Sequence, residues 1–254
     1  FIGAGNYASR ILIPAFKAAG AQFSSIATSG GINGVIHGAK AGFAEATTDV
    51  EALLADPETT AVAVATRHNS HADFVCRALD AGKHVFVEKP LALTGEQLDR
   101  VEAHWRRNLA QERPCHLMVG FNRRFAPQVQ TLRALLDAVA DPKSFIVTVN
   151  AGALPGDHWT RDQDVGGGRI LGEACHFIDL MRYLAGAEII SVQSRGMGPT
   201  ANGDGTEDNA TVTLGFADGS MGTVHYLANG SSRFPKERVD VFAAGGTLQL
   251  DNFR

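Results

Sequence analysis

The chain has 254 residues, a formal net charge of −4, 44% apolar residues and 20% charged residues. At roughly 100–200 residues per domain, that is material for two cores. No stretch is rich in Lys or Arg, which argues against a nucleic-acid partner, and no apolar run approaches the ~18 residues a membrane helix needs.

Phe1-Ile2 reads as the end of a strand that begins upstream, so the first strand is expected to be truncated. Gly3-Ala4-Gly5-Asn6-Tyr7-Ala8 then fits G-x-G-x-x-G/A between a strand and a helix. In that context the first glycine permits the tight turn and the second lets backbone approach a pyrophosphate. The small third residue lets helix pack on strand, and the helix N-terminus faces the phosphates. Gly3, Gly5, Asn6 and Tyr7 are therefore candidate dinucleotide contacts. A helix is expected over Ser9 to Ala19, stopped by Gly20, with Pro14 kinking or restarting it. A short strand over Phe23 to Thr28 leads into Ser29-Gly30-Gly31. The acid that would hold the adenosine ribose hydroxyls is missing there, as is an arginine for a 2′-phosphate. Ser29 can hydrogen-bond either cofactor, so NAD and NADP both stay open.

A looser helix is expected around Val35 to Ala41, closed by Gly42. Thr48-Asp49-Val50-Glu51 reads as a capping box opening a helix through Leu54. Ala61 to Thr66 is a continuous apolar run suited to a parallel strand buried on both faces. Ala65, Thr66, His68 and His71 lie at or just beyond its end, where the nicotinamide half of a dinucleotide would pass; His71 reads equally as a residue packed at the start of the next helix. Then follow a helix over His71 to Ala81 ended by Gly82, and a strand over His84 to Val87. A second capping box, Thr94 to Gln97, opens a helix to about Leu109, and a strand covers His116 to Gly120. Regular β–α alternation predicts a doubly wound parallel sheet with helices on both faces, an α/β Rossmann domain over 1–121, with ligands at the carboxyl ends of its strands.

Residues 122–254 change rhythm. Pro127 to Ala140 is helical, Ser144 to Asn150 alternates like a strand, and Ala151 to Gly168 is a Gly-rich loop. A helix over Ile170 to Ala185 is ended by Gly186. Strands follow near Ile189 to Arg195, Ala210 to Phe216, Ser220 to Leu227, Val239 to Ala243 and Thr247 to Leu250, with Asp218-Gly219 as a hairpin turn. Strands in runs predict an α+β domain with a mostly antiparallel open sheet and helices on one face. The three cysteines (Cys76, Cys115 and Cys175) are odd in number and form no C-x-x-C pair, which points to reduced thiols and a cytoplasmic setting. The nine histidines show no H-E-x-x-H or Cys/His ligand spacing, so no metal is expected.

Glu88-Lys89-Pro90 follows the strand His84 to Val87. Together with the glycine turn, the stretch Ala65 to Ala72, the run Ala81 to Ala92, and Gly166-Gly167-Gly168 followed by His176 and Asp179, it resembles the Gfo/Idh/MocA family of oxidoreductases. The resemblance spans nearly the whole chain with its motifs in order. It implies a nicotinamide cofactor, NAD or NADP, a sugar, cyclitol or related polyol substrate, and a homo-oligomer paired through the second-domain sheet. It maps a catalytic lysine onto Lys89 and a catalytic histidine onto His176, and it implies a cis Lys89–Pro90 bond. The chemistry of the residues suits those roles. Alcohol oxidation sends a hydride to the nicotinamide and a proton to a base, for which a histidine titrates in the right range. A lysine polarises the substrate oxygen. Glu88 and Lys89 are also candidate cofactor contacts. Arg123, in the segment after the last Rossmann strand, and Trp159, in the long loop, are candidate substrate contacts, as are Glu173, His176 and Asp179 on one helix; Trp159 reads equally as an anchor that packs the loop on the core. Arg123 or Arg124 would hold an anionic substrate group or form a structural salt bridge. The chain departs from the family at Gly172, where many members carry Asp four residues before the histidine. Glu173 is adjacent but points about 100° around the helix.

The loop and helix from Gly152 to Gly186 also resemble a subgroup fused behind a zinc-type alcohol dehydrogenase domain, and the C-terminus is expected to run on beyond Arg254. Two other functions are carried by relatives of this kind: NAD-assisted cleavage of glycosidic bonds, and non-catalytic dinucleotide sensing. Lys89 and His176 favour an enzyme, because a sensor needs neither.

Overall fold

The structure is a computed structural model and describes residues 1–198 and 208–253. The chain divides into two compact units, Phe1–Gly120 and Phe121–Arg254.

The first unit holds a parallel sheet. Its strands are β1 (Ser25–Ala27), β2 (Glu45–Thr47), β3 (Ala61–Val64), β4 (His84–Val87) and β5 (Leu117–Val119). β1 pairs with β2, and β3, β4 and β5 pair in that order. Ile2 makes parallel bridges to both Ala27 and Val64, so the short segment at the start of the chain joins the two groups. The order is β2-β1-Ile2-β3-β4-β5, the arrangement of a doubly wound dinucleotide-binding sheet. The helices are α1 (Ile13–Ala18), α2 (Ile32–Ala41), α3 (Val50–Ala55), α4 (His71–Asp80) and α5 (Gly95–Leu109). Val62, Val64, Val85 and Val87 are buried in one core with Ala72, Val75 and Leu79 of α4.

Several local expectations shift. Pro14 restarts its helix, one of the two outcomes expected of it. A π-helical turn over Ala8–Leu12 precedes α1 and places Pro14 in its first turn, where the missing N–H costs nothing. β2 was not anticipated, because Glu45-Ala46-Thr47 is short, mostly exposed and without an apolar pattern. The cap of α3 is Asp49 rather than Thr48. The Asp49 carboxylate accepts from the Ala52 N–H at 3.0 Å, while the Thr47 hydroxyl accepts from the Asp49 N–H at 2.9 Å. The Thr94 cap of α5 stands, its hydroxyl accepting from the Gln97 N–H at 3.1 Å.

The second unit is a six-stranded sheet. It comprises β6 (Ser144–Asn150), β7 (Ile189–Gly196), β8 (Ala210–Phe216), β9 (Met221–Leu227), β10 (Glu237–Ala243) and β11 (Gly246–Asp251), in the order β11-β10-β6-β9-β8-β7. Every pairing is antiparallel except β6 with β9. Strict alternation puts Phe145, Val147, Val149, Leu214, Phe216, Val224, Val239 and Val241 into one core. Two helices close that core, α6 (Pro127–Asp137) through Val129, Leu132 and Leu136, and α7 (Cys175–Ala185) through Phe177, Leu180, Met181 and Leu184. The opposite face of the sheet carries Ile146, Met221 and Phe242, all exposed.

Candidate active site

In the first unit the candidate residues collect at the carboxyl ends of the strands. Gly3 has φ +101°, and a Cβ there would overlap the Ala65 carbonyl, within 2.7 Å of its carbon. Only glycine lets the chain turn between Ile2 and the end of β3. Gly5 is the reverse case: a Cβ there would meet nothing within 4 Å, so its backbone faces open space. Asn6 and Tyr7 are exposed beside it, and Ala8 is buried under the helix. An exposed glycine backbone at the start of a helix fits a dinucleotide pyrophosphate. Ser29 is exposed two residues beyond β1.

Beyond β3, the Thr66 hydroxyl pairs with the Ser70 hydroxyl at 2.6 Å. His68 is buried, its ring 5.6 Å from that of His71. His71 opens α4 and is fully buried, with 0% exposure. Its Nδ1 lies 2.8 Å from the Pro90 carbonyl oxygen and its Nε2 3.2 Å from that of Thr66. Burial pushes its pKa down, and the Lys89 charge adds to that. Of the two sequence readings for His71, the structure shows the packed residue at the helix start, with backbone oxygens at its ring nitrogens.

Beyond β4, Glu88 is buried at 9% exposure and Lys89 is half-buried. Burial pushes the Glu88 carboxyl up, while the Lys89 charge and N–H pull the other way. The Lys89 N–H donates to Glu88 Oε2 at 3.3 Å. The Glu88 carboxyl lies against Gly120, just beyond β5; a Cβ on Gly120 would lie 2.9 Å from Glu88 Oε1. The Lys89–Pro90 bond is cis.

In the second unit, His176 lies on the first turn of α7 and is buried at 7%, with its ring edge-on to Phe121 at 6.1 Å. A π-helical turn over Ile170–Ala174 leads into α7, so both glycine-flanked motifs of the chain abut a widened turn. Such turns often mark functional positions. Gly172 is buried within that turn. Glu173, next in sequence to Gly172, is held on two sides. Its carboxylate accepts from Arg169 Nε at 3.1 Å and from the Tyr226 hydroxyl at 2.5 Å. Arg169 is itself 2% exposed and donates to the Gly152 carbonyl at 2.6 Å, tying the long loop to the helix. That loop is pinned again by Arg161 against Asp208 at 3.6 Å. It also packs closely at Gly166, where a Cβ would sit 2.6 Å from the Trp159 carbonyl oxygen. Trp159 is half-buried with its ring stacked on His158.

The arginines after β5 form ion pairs. Arg123 grips Glu237 with two hydrogen bonds, at 3.0 and 2.6 Å, and lies over the Phe177 ring. Arg124 grips Asp179 in the same two-point fashion. Of the two sequence readings for these arginines, the structure carries the salt bridge. Arg169 and Tyr226 were missed from the sequence. The i,i+4 spacing of Arg169 and Glu173 on one helix face was the available signal for the first; Tyr226, 53 residues further on, left none. Among the described residues, no group of three or more His, Cys, Asp or Glu is placed to hold a metal ion. Likewise among them, no helix is long and apolar enough to cross a membrane.

Residues 1–121 match a family model described as an oxidoreductase family with an NAD-binding Rossmann fold, and residues 129–249 match the GFO/IDH/MocA C-terminal domain. The chain is 30% identical over 220 residues to the myo-inositol 2-dehydrogenase of Thermotoga maritima, covering 85% of this chain and 63% of that protein. The first curated relatives are spanned over only 60–63% of their length. A probable dehydrogenase of Thermotoga maritima superposes with a TM-score of 0.84 at 27% identity, covering 98% of this chain and 74% of that one. A levoglucosan dehydrogenase solved with NADH and levoglucosan gives a TM-score of 0.84 at 25% identity, covering 100% of this chain and 72% of that one.

Proposed function

The chain belongs to the Gfo/Idh/MocA oxidoreductase family, and from that premise we propose that it moves a hydride between a nicotinamide dinucleotide and a CH–OH carbon of a sugar, cyclitol or related polyol. The observation that carries this is the glycine turn. Gly3 is forced by the Ala65 carbonyl just beyond β3, Gly5 faces open space, and β3 pairs with β4, which leads into Glu88 and Lys89. The myo-inositol and levoglucosan dehydrogenases among the relatives support the polyol class.

A bound nicotinamide supplies the centre that takes up or returns the hydride. In the oxidising direction, His176 takes the hydroxyl proton while the C–H electron pair leaves with its hydrogen, and the C–O single bond becomes a carbonyl. Lys89 donates to that oxygen and stabilises its developing charge. Asn6 and Tyr7 line the dinucleotide path, with Ala65, Thr66 and His68 on its nicotinamide side. Ser29 meets the adenosine ribose, where NAD and NADP differ. Trp159 offers a ring for a sugar face. Arg123, Glu173 and Asp179 reach the substrate only through the ion pairs that hold them. A second copy of the chain is expected on the open sheet face, where Ile146, Met221 and Phe242 are exposed.

Calorimetry of the native chain with NADH and NADPH tests the reading. Tight binding of one is expected, followed by net NAD(P)H accumulation in a polyol screen. Turnover should fall by roughly 10²–10⁴ in His176→Ala, the usual worth of a general base. Binding of neither dinucleotide would overturn it, and glycoside cleavage with no NAD(P)H accumulation would favour the glycosidase alternative.

A further inference from the structure

The ladder between β3 and β4 runs to a bond from the Glu88 N–H to the Val64 carbonyl at 2.9 Å. Two residues further along each segment, the His71 ring lies between the carbonyls of Thr66 and Pro90. A fully buried neutral imidazole has one N–H to give, so it donates to one of these two carbonyls, the Pro90 oxygen at 2.8 Å being the nearer, and packs against the other; in that way it acts as a side-chain rung. It continues the coupling of the two segments past the end of the backbone ladder. The segment it holds on one side is Lys89-Pro90, and on the other Thr66.

Building on the dinucleotide reading above, we infer that His71 is a positioning residue. It fixes the Lys89-Pro90 segment against the end of β3 by donating to one of the Pro90 and Thr66 carbonyls and packing on the other, and so sets the nicotinamide half of the site without touching the cofactor. The adenosine and pyrophosphate half depends on the Gly3–Ala8 turn, which His71 does not contact in the hydrogen bonds described. The two halves of the dinucleotide therefore report separately. ADP-ribose carries the half held by the glycine turn, and NADH carries both.

The experiment is calorimetric titration of the full chain with ADP-ribose and with NADH. It compares wild type with His71→Phe, which keeps the ring and loses both polar nitrogens, and His71→Gln, which keeps one donor. Expected is an ADP-ribose affinity within about twofold of wild type in both variants, and an NADH affinity about tenfold weaker in His71→Phe, partly recovered in His71→Gln. Equal loss for both ligands, or NADH affinity unchanged in His71→Phe, overturns the inference. If His71→Phe fails to fold, the same two titrations on His71→Gln decide, with a selective loss of NADH affinity expected. Wild type binding neither ligand would instead overturn the dinucleotide reading on which this rests.

Discussion

The two units hold their candidate residues by different means. In the first, Gly3, His71 and Gly120 fix the strand ends through backbone contacts and steric fit. The polar group at the centre, the His71 ring, sits between two carbonyls, donates to one of them and has no counter-charge. In the second, charge does the holding. Arg169 with Glu173, Arg124 with Asp179 and Arg123 with Glu237 are all at least partly buried ion pairs, with Tyr226 joining the first. A frame built on backbone fit tolerates almost no change of shape but is indifferent to ionic strength. A frame built on buried pairs tolerates shape changes and fails when one charge is removed.

The largest effect should come from Gly3→Ala. The new Cβ meets the Ala65 carbonyl at a φ of +101°, so backbone strain and overlap add. A loss of about 3–5 kcal/mol is expected, read as a large drop in calorimetric Tm together with loss of NADH binding. Wild-type stability in this variant would mean that the turn relaxes freely and that the first unit is not held by fit. Next is Glu173→Ala, which leaves the Arg169 guanidinium buried without its carboxylate. It should cost about 3 kcal/mol, and Arg169→Met, which removes the charge with its partner left half-exposed, should cost less. Equal costs would show that the helix, and not the pair, sets the effect. Tyr226→Phe removes only a hydrogen bond to the charged Glu173 and should cost about 1.5 kcal/mol. A loss of the same size in a Glu173→Ala background would show that the hydroxyl does not act through Glu173.

The same contrast explains what the sequence reveals. Backbone fit leaves local signatures. Gly3, Gly5 and Ala8 fall at fixed spacing, and Glu88-Lys89-Pro90 follows an apolar strand, so the carboxyl edge of the first sheet was readable. The alternation of β6, β8 and β9 gave the second core in the same way. Ion pairs leave little local trace. Arg123 meets Glu237 across 114 residues and Tyr226 meets Glu173 across 53, distances at which spacing carries no information. β2 was missed because an exposed three-residue strand has no period to detect. The π-helical turns at Ala8–Leu12 and Ile170–Ala174 were missed because a widened turn preserves apolar spacing nearly as well as an α-helical one. For His71, the sequence placed the residue at the right strand end but could not show that its ring turns inward to two carbonyls.

The smallest effect is the pH dependence of the first unit, and it discriminates best. Burial holds the His71 pKa below its ordinary 6.5, so the ring is neutral in both folded and unfolded chains above that pH and its contribution to stability is complete there. As pH falls below 6.5 the unfolded chain takes a proton that the folded chain refuses, and stability is lost until the lower folded pKa is passed. Glu88 works in the opposite sense. Burial holds its carboxyl above the ordinary 4.5, so its contribution is complete below 4.5 and is lost as pH rises through the raised folded value. Lys89 faces both groups and depresses both, and the His68 ring lies beside His71. Acidification therefore sets the two buried groups against each other, with His71 costing stability where Glu88 regains it. Subtracting the Tm of His71→Phe from that of wild type at each pH removes the Glu88 contribution along with that of every other carboxylate. The difference should be greatest above pH 6.5 and shrink steadily toward pH 5. A difference that stays constant over that range would mean the ring titrates as freely folded as unfolded, and that the two carbonyls, not burial, set its charge.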